Sequence, residues 1–250
     1  MRGILAYGRF EGGRLLRSWR FLVITVGFPV TFYLLFLGDR RASETVSGAV
    51  TWRVYLMVSM CSFGCLVAGL TAGGGRLAAE RASGWARQLR VTPIPPWSFV
   101  VVKTATCMLV MIPVLGLVEA VAAVFGGVDL PFRTWLETAA AMWVGSLPFA
   151  ELGVLIGFGV GVETTFPIIV ALMFVLGYFG GLFNPVRSMP HPLQTAAHLL
   201  PSFHHVRLGL AAVSGGGFPL TSWLVLAGYA AAIAVAIAAG HRIDELRGTA

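Results

Sequence analysis

The stretch Arg76-Leu-Ala-Ala-Glu-Arg-Ala-Ser-Gly-Trp-Ala-Arg-Gln-Leu-Arg-Val-Thr-Pro-Ile-Pro-Pro96 is a polar island between two long apolar runs of the chain. Three prolines follow Thr92; they remove backbone donors and disfavour helical dihedrals in the preceding residues, so a helix should end near Val91. We therefore predict a short helix outside the membrane over residues 76–92. Its apolar residues recur at steps of three or four and so share one face: Ala78, Ala82, Trp85 and Leu89.

The composition is that of an integral membrane protein. The 250 residues are 57% hydrophobic and 12% charged, with a mean hydropathy of +0.81, whereas about a quarter of the residues in soluble domains are charged. A net charge of +7 would suit a nucleic-acid partner. However, the arginines cluster beside apolar runs and lack the interleaved stacking aromatics of a single-strand binder. The basic charge is better explained by orientation in a membrane.

Six apolar segments are each long enough to cross a bilayer, which requires about 20 residues. These segments predict an all-α fold in a single transmembrane domain over residues 1–250. Gly73-Gly74-Gly75 follows the second span, and its flexible dihedrals are expected to turn the chain sharply into the island. The predicted spans are 21–38, 50–73, 97–125, 134–161, 165–183 and 222–240.

Two further segments mix polar and apolar residues. Residues 1–20 combine five arginines with large apolar side chains, which predicts an amphipathic helix in the membrane interface; a disordered basic tail is the alternative. Residues 184–221 contain five prolines and four of the five histidines. Such broken helical pieces suit a re-entrant segment, which dips part-way into the bilayer where protein covers its backbone.

The distribution of basic residues predicts the orientation. An even number of spans places both termini on one side, and the side richer in lysine and arginine is cytosolic. The N-terminal segment, the island, Lys103 and the C-terminal tail carry twelve of the 18 basic residues, and the intervening segments carry the other six. We expect a multi-pass protein of the inner (plasma) membrane, with cytosolic termini and an outward-facing segment 184–221.

Four ionisable residues lie within the third and fourth predicted spans, where a charge costs about 3 kcal/mol or more: Lys103, Glu119, Glu137 and Glu151. If the third and fourth spans form a hairpin that turns near residue 128, Glu119 lies level with Glu137, and Lys103 with Glu151. The hypothesis is a polar translocation path, in which the two outer carboxylates attract a cationic amphiphile or hold a shared proton. Alternatively, the carboxylates lie at the headgroup level, and Lys103 snorkels with Glu151 as its partner.

Histidine and cysteine residues predict no metal site. Four histidines lie between residues 191 and 205, but no carboxylate or cysteine completes a set of ligands there. The cysteines lie within apolar runs without the spacing of a zinc or disulfide framework, and we expect buried free thiols: Cys61, Cys65 and Cys107.

The island has an ordered set of residues: Glu80-Arg81-x-x-Gly84, then Leu89-Arg90-x-Thr92-Pro93, then Lys103 in the next span. This order resembles the signature segment of type-2 ABC exporter permeases, which pair with a separate ATP-binding subunit; a solvated basic loop is the alternative. The family often has a small hydroxyl residue where Trp85 stands. The resemblance implies a coupling helix that contacts the ATPase, with these candidate residues: Glu80, Arg81, Gly84, Trp85, Arg87 and Leu89.

The resemblance also implies the function and the partners. The chain would be the permease subunit of an ATP-driven exporter that moves an amphiphilic drug, lipid, peptide or glycan by alternating access. It would assemble with two ATP-binding subunits and a second permease subunit, as a homodimer or heterodimer. The Gly- and Ala-rich stretches 153–161 and 227–239 would permit close helix contacts in that dimer.

No catalytic residues and no ATP-binding motif are found in the chain. ATP and its Mg²⁺ would therefore be bound by the partner ATPase. A self-contained, proton-coupled secondary transporter that uses the intramembrane glutamates is the alternative. Such carriers usually have two matching halves, and this sequence shows no internal repeat.

Overall fold

The structure is a computed structural model that describes Gly13 and residues 18–38, 45–47, 50–83, 96–217 and 219–248. The helix that we number α1 is followed by a short antiparallel hairpin of strands β1 and β2, which leads into a second long helix. That helix consists of α2, a π-helical segment and α3. The bounds are Trp19–Leu37 for α1, Thr45–Ser47 for β1, Val50–Thr51 for β2, Trp52–Gly69 for α2, Leu70–Gly75 for the π-helix and Arg76–Ala82 for α3.

The remaining described elements are helical. One long helix is followed by a broken pair, a further long helix, two short helices that a 3₁₀ turn precedes, and a long C-terminal helix. The bounds are Pro96–Val124 for α4, Phe132–Gly145 for α5, Leu147–Gly159 for α6, Val162–Phe179 for α7, Val186–Ser188 for the 3₁₀ turn, His191–Ala197 for α8, Pro201–Ser214 for α9 and Leu220–Gly248 for α10.

Five helical segments in the described part of the chain are long and apolar enough to cross a membrane, and α1 contributes a shorter apolar helix over Thr25–Leu37. The fold is therefore that of an all-helical, multi-pass membrane protein, while the sixth span stays a prediction. The predicted interfacial helix at 1–20 lies almost wholly outside the described residues. The five segments are Trp52–Ala82, Phe99–Val124, Phe132–Gly159, Val162–Phe179 and Leu220–Gly240.

The sequence predicted that the second span ends at its three glycines, but the helix continues past them. It continues as one helical segment of 31 residues, Trp52–Ala82, and Gly75 has right-handed helical dihedrals of φ −60° and ψ −45°. Helical hydrogen bonding is maintained here by a π-helical turn, which inserts a residue into a helix without breaking it. The expectation of a sharp turn was wrong because these glycines serve helix packing.

Glycines on two helices bring the second span and α6 into backbone contact. A Cβ on Gly153 would lie 2.0 Å from the Gly69 carbonyl oxygen, and one on Gly157 would lie 2.7 Å from that of Gly73. On each helix the two glycines are four residues apart, the spacing at which small residues line one helix face. Gly153 and Gly157 thus form within the chain the close contact that we expected this stretch to make with a second permease subunit.

The hairpin of α4 with α5 and α6 has the predicted register. Trp143 Nε1 donates to the Met108 carbonyl at 2.8 Å, and Ser146 Oγ lies 3.0 Å from Met111 Sδ. The turn lies near residue 128, where Gly127 adopts a φ of +61°, a conformation that glycine reaches without steric cost. The predicted fourth span is divided at Ser146, just before a proline near the start of α6.

The segment 184–221 forms a 3₁₀ turn and short helices, of which α9 packs into the bundle. His205 of α9 is fully buried; its Nδ1 lies 2.8 Å from Ser62 Oγ, and its Nε2 lies 2.8 Å from the Met142 carbonyl oxygen. A carbonyl only accepts, so Nε2 carries the proton and the Ser62 hydroxyl donates to Nδ1. The broken helices agree with the predicted form of this segment, and its re-entry into the bilayer stays a prediction.

Candidate functional site

A buried ion pair joins α3 to α4 at one end of the bundle. Lys103 Nζ lies 2.6 Å from Glu80 Oε2, and the two side chains are 4% and 10% exposed. The lysine ammonium also lies 5.6 Å from the centroid of the Phe99 ring. A buried charge without a partner is strongly destabilising. The pair therefore holds the end of α3 against the start of α4.

The neighbouring residue, Arg81, binds the end of a different helix. Its Nη1 donates to the Gly157 carbonyl at 3.1 Å and also to the Phe158 carbonyl. Both carbonyls belong to the last turn of α6, which ends at Gly159. The last four carbonyls of a helix lack helical partners and carry partial negative charge, so a cation is stabilised there.

Two consecutive residues of α3 therefore hold two other helices. We call this cluster the Glu80 junction: Glu80, Arg81, Lys103, Gly157 and Phe158. The rings of Phe99 and Phe158 meet edge-on, with centroids 5.7 Å apart, and pack α4 against α6 beside the charges. The junction thus links α3 to both α4 and α6.

The ion pair predicted between Lys103 and Glu151 is replaced by the pair with Glu80. Glu151 is half-buried in α6, and its Oε2 has no hydrogen-bond partner among the described residues. Counting along the hairpin gives the height of each residue, but not the side of the helix on which it lies. Lys103 points towards α3, which is not part of the hairpin of the third and fourth spans.

The structure places Glu119 and Glu137 in different surroundings, although counting along the hairpin put them at one level. Glu119 is 8% exposed, and its Oε1 is buried without a hydrogen-bond partner in the described part of the chain. Glu137 is exposed and accepts from Arg133 Nε at 2.7 Å, one turn earlier on the same helix. Their participation in a translocation path stays a prediction, but no shared carboxylate site supports it.

Glu80 and Arg81 are the two candidate coupling residues that the structure describes. Glu80 is 8% exposed, so its carboxylate is directed into the bundle and not onto a surface where an ATPase would dock. The other four candidates, Gly84, Trp85, Arg87 and Leu89, lie outside the described residues.

Sequence reasoning missed the partners of Arg81, because main-chain carbonyls have no signature in a sequence. The glycine contact did have a signature in the sequence: on both helices the glycines are four residues apart.

All three cysteines are free and buried, as predicted. Within the described ranges, no group of three or more His, Cys, Asp or Glu residues is placed to hold a metal ion.

The multi-pass helical bundle, with a charged junction at one end of its long second helix, places the chain in the class of polytopic integral membrane proteins. The family described as "ABC-2 family transporter protein" matches residues 41–239, so the chain belongs to the ABC-2 family of transporter proteins. It is also similar to "Putative transport permease YvfS" of Bacillus subtilis (strain 168). The two are 27% identical over 219 residues, which cover 88% of this chain and 89% of that protein.

These findings confirm the resemblance to type-2 ABC permeases that the island indicated. The chain is an ABC transporter permease, a transport subunit and not the catalytic one. Membership of this family implies an ATP-binding partner in the same transport system. The matched range includes the Glu80 junction and the segment 184–221.

Proposed function

We propose that this permease couples ATP hydrolysis on a separate subunit to the export of an amphiphilic substrate. Two ATP-binding subunits and two permease subunits make up the transporter. ATP and Mg²⁺ bind to the ATPase partners, and closure of these partners moves the islands. That movement opens the permease alternately to the two sides of the membrane.

The Glu80 junction is the observation that carries this proposal. A force on the island reaches α3 first, and α3 is bonded to α4 through Glu80 and to α6 through Arg81. Because α6 also contacts the second span through its glycines, the three helices would move as a packed unit. Tightly packed interfaces of this kind shift between discrete arrangements and do not deform continuously.

The excess of basic residues supports an orientation with the Glu80 junction on the cytosolic side. In this arrangement both termini are cytosolic, and the segment 184–221 faces outward from the inner (plasma) membrane. The polar island, residues 76–92, would act as the coupling helix that contacts the ATPase, with Gly84, Trp85, Arg87 and Leu89 as candidate contact residues. The substrate classes that suit such a permease are drugs, lipids, peptides and glycans with an apolar part.

A proton-coupled secondary transporter is the second candidate function. Buried carboxylate oxygens without hydrogen-bond partners at Glu119 and Glu151 favour it, because ionisable groups inside a membrane often mark ion pathways. Membership of the ABC-2 family favours the ATP-driven mechanism over this one.

Isolation of the tagged full-length chain from its native membrane distinguishes the two. An ATP-driven transporter should retain a stoichiometric ATP-binding subunit, and the isolated complex should hydrolyse ATP only when Mg²⁺ is present. Purification of the chain alone, together with uptake of a cationic dye into its liposomes under a proton gradient without ATP, would instead support the secondary transporter.

A further inference from the structure

A cavity of about 440 Å³ lies at the end of the bundle opposite the Glu80 junction. Three parts of the chain line it: the start of the second span, the α4–α5 loop and the end of α9. Its apolar walls include Val54 and Leu130, and its polar residues include Arg53, Asp129 and Ser214. The volume is within the range of about 300–1,000 Å³ that is usual for small-molecule sites.

The guanidinium of Arg53 is held in place but has unused donors. Its Nη1 donates to the Gly126 carbonyl at 3.1 Å, which ties it to the α4–α5 loop. Its Nε is too buried for a ligand to reach. In the described part of the chain the guanidinium makes no other hydrogen bond, so the Nη2 donors are left for a ligand in the cavity that Arg53 lines. The planar guanidinium fork matches the oxygens of a phosphate or carboxylate.

Asp129 lines the same cavity, and its side chain is exposed. The ion pairs in the described part of the chain are Lys103 with Glu80 and Arg133 with Glu137, so Asp129 and Arg53 do not neutralise each other directly. A purely anionic ligand would bring negative charge towards the aspartate, and a purely cationic one would bring positive charge towards Arg53. A ligand with both charges satisfies both side chains.

We propose that this cavity binds a zwitterionic phosphoester headgroup, with its phosphate on Arg53 and its ammonium on Asp129. The apolar walls then accommodate the glycerol and the first methylenes of a phospholipid. The same chemistry is available from a water-soluble phosphoester without acyl chains, so the two sources require separate tests. The site lies at the other end of the bundle from the junction that we assign to coupling.

Titrations of the purified full-length chain in detergent test the assignment by microscale thermophoresis. The probes are dihexanoyl phosphatidylethanolamine, dihexanoyl phosphatidylglycerol and glycerophosphoethanolamine. Arg53→Gln should weaken binding of the ethanolamine lipid about tenfold or more, because charge-assisted hydrogen bonds are the strong ones. Asp129→Asn should weaken it less and should not weaken binding of the glycerol lipid. Arg187→Gln, an exposed arginine outside the cavity, should change neither affinity.

Asp129 lies in an exposed loop, so Asp129→Asn tests the site even if Arg53→Gln does not fold. Unchanged binding of the ethanolamine lipid in both variants would overturn the proposal. Equal affinity of the wild-type chain for the two lipids would also overturn it, because Asp129 would then have no role. Binding of glycerophosphoethanolamine as tight as that of the lipid supports a soluble phosphoester as the source, and weaker binding supports a membrane phospholipid.

Discussion

Lys103 Nζ lies 2.6 Å from Glu80 Oε2, in a contact that is almost completely shielded from solvent. Glu80 lies within the island, Lys103 follows 23 residues later in the chain, and the two belong to different helices. Their contact therefore ties α3, the described helix of the island, to α4.

The first prediction concerns the stability of this ion pair. Lys103→Met removes the ammonium from the buried Glu80 carboxylate, and breaking such a pair costs about 3–5 kcal/mol. We expect a clearly lower thermal unfolding temperature in detergent. A thiol-reactive dye measures it, since all three native cysteines are buried in the folded chain.

The double variant Glu80→Leu with Lys103→Met is the matched control. Replacement of both charges by apolar side chains of similar size is often neutral or stabilising, so much of the lost stability should return. Equal destabilisation of the single and double variants would show that the two side chains do not depend on each other.

Arg81 should matter more for activity than for stability. Its side chain is exposed and caps α6, and an exposed charge at a helix end contributes about 0.3–1 kcal/mol. Arg81→Gln should therefore leave the amount of folded protein and the bound ATP-binding subunit nearly unchanged while reducing ATP-driven transport by the complex. Arg81→Lys, which keeps the charge, should retain part of that transport.

The control for Arg81 is Arg133→Gln, which removes an exposed arginine at the other end of the bundle. It should leave transport at the wild-type level. Full transport by Arg81→Gln would exclude the bond to α6 as a route of coupling.

The glycine contact predicts a strong dependence on position. A Cβ at Gly153 would lie 2.0 Å from a backbone oxygen, so Gly153→Ala should force the helices apart and cost about 1–3 kcal/mol or more. Gly116 lies within α4, and a Cβ there would meet nothing within 4 Å. Gly116→Ala should raise helix stability by up to about 1 kcal/mol. Thermal unfolding of the two variants should shift in opposite directions; a shift in the same direction would contradict the packing.

His205 should be required for the placement of α9. His205→Phe leaves the Ser62 hydroxyl and the Met142 carbonyl without their partner, at a cost of about 1–3 kcal/mol for each unsatisfied group. Thermal unfolding of the purified chain should report this loss. His191→Phe, at an exposed position, should have little effect, and equal shifts in the two variants would argue against a specific role for His205.

The predicted orientation can be checked by labelling. In a background without the native cysteines, Ser188→Cys should react with an impermeant thiol reagent added outside intact cells, whereas Ser83→Cys should not. Both positions are exposed in the structure, so access from the correct side is the remaining requirement. The opposite labelling pattern would reverse the topology.

The amino-acid sequence alone was sufficient to predict the class of protein, the positions of the long helices and the family. These follow from apolar segment length and from the order of residues in one polar island, neither of which depends on the packing of distant parts. The hairpin register was also predictable, as the contact of Ser146 with Met111 shows, because each residue advances a helix by a constant 1.5 Å.

The helix that each side chain faces became known only from the folded bundle. A helix turns by 100° per residue, so small differences in rotation, set by packing with neighbouring helices, change the partner of a side chain without changing its height. Lys103 consequently pairs with Glu80 and not with Glu151, and the buried Glu119 lies apart from the exposed Glu137. For the same reason Gly73 packs against α6 in place of the predicted turn, since the close approach of two backbones exists only once both helices are assembled.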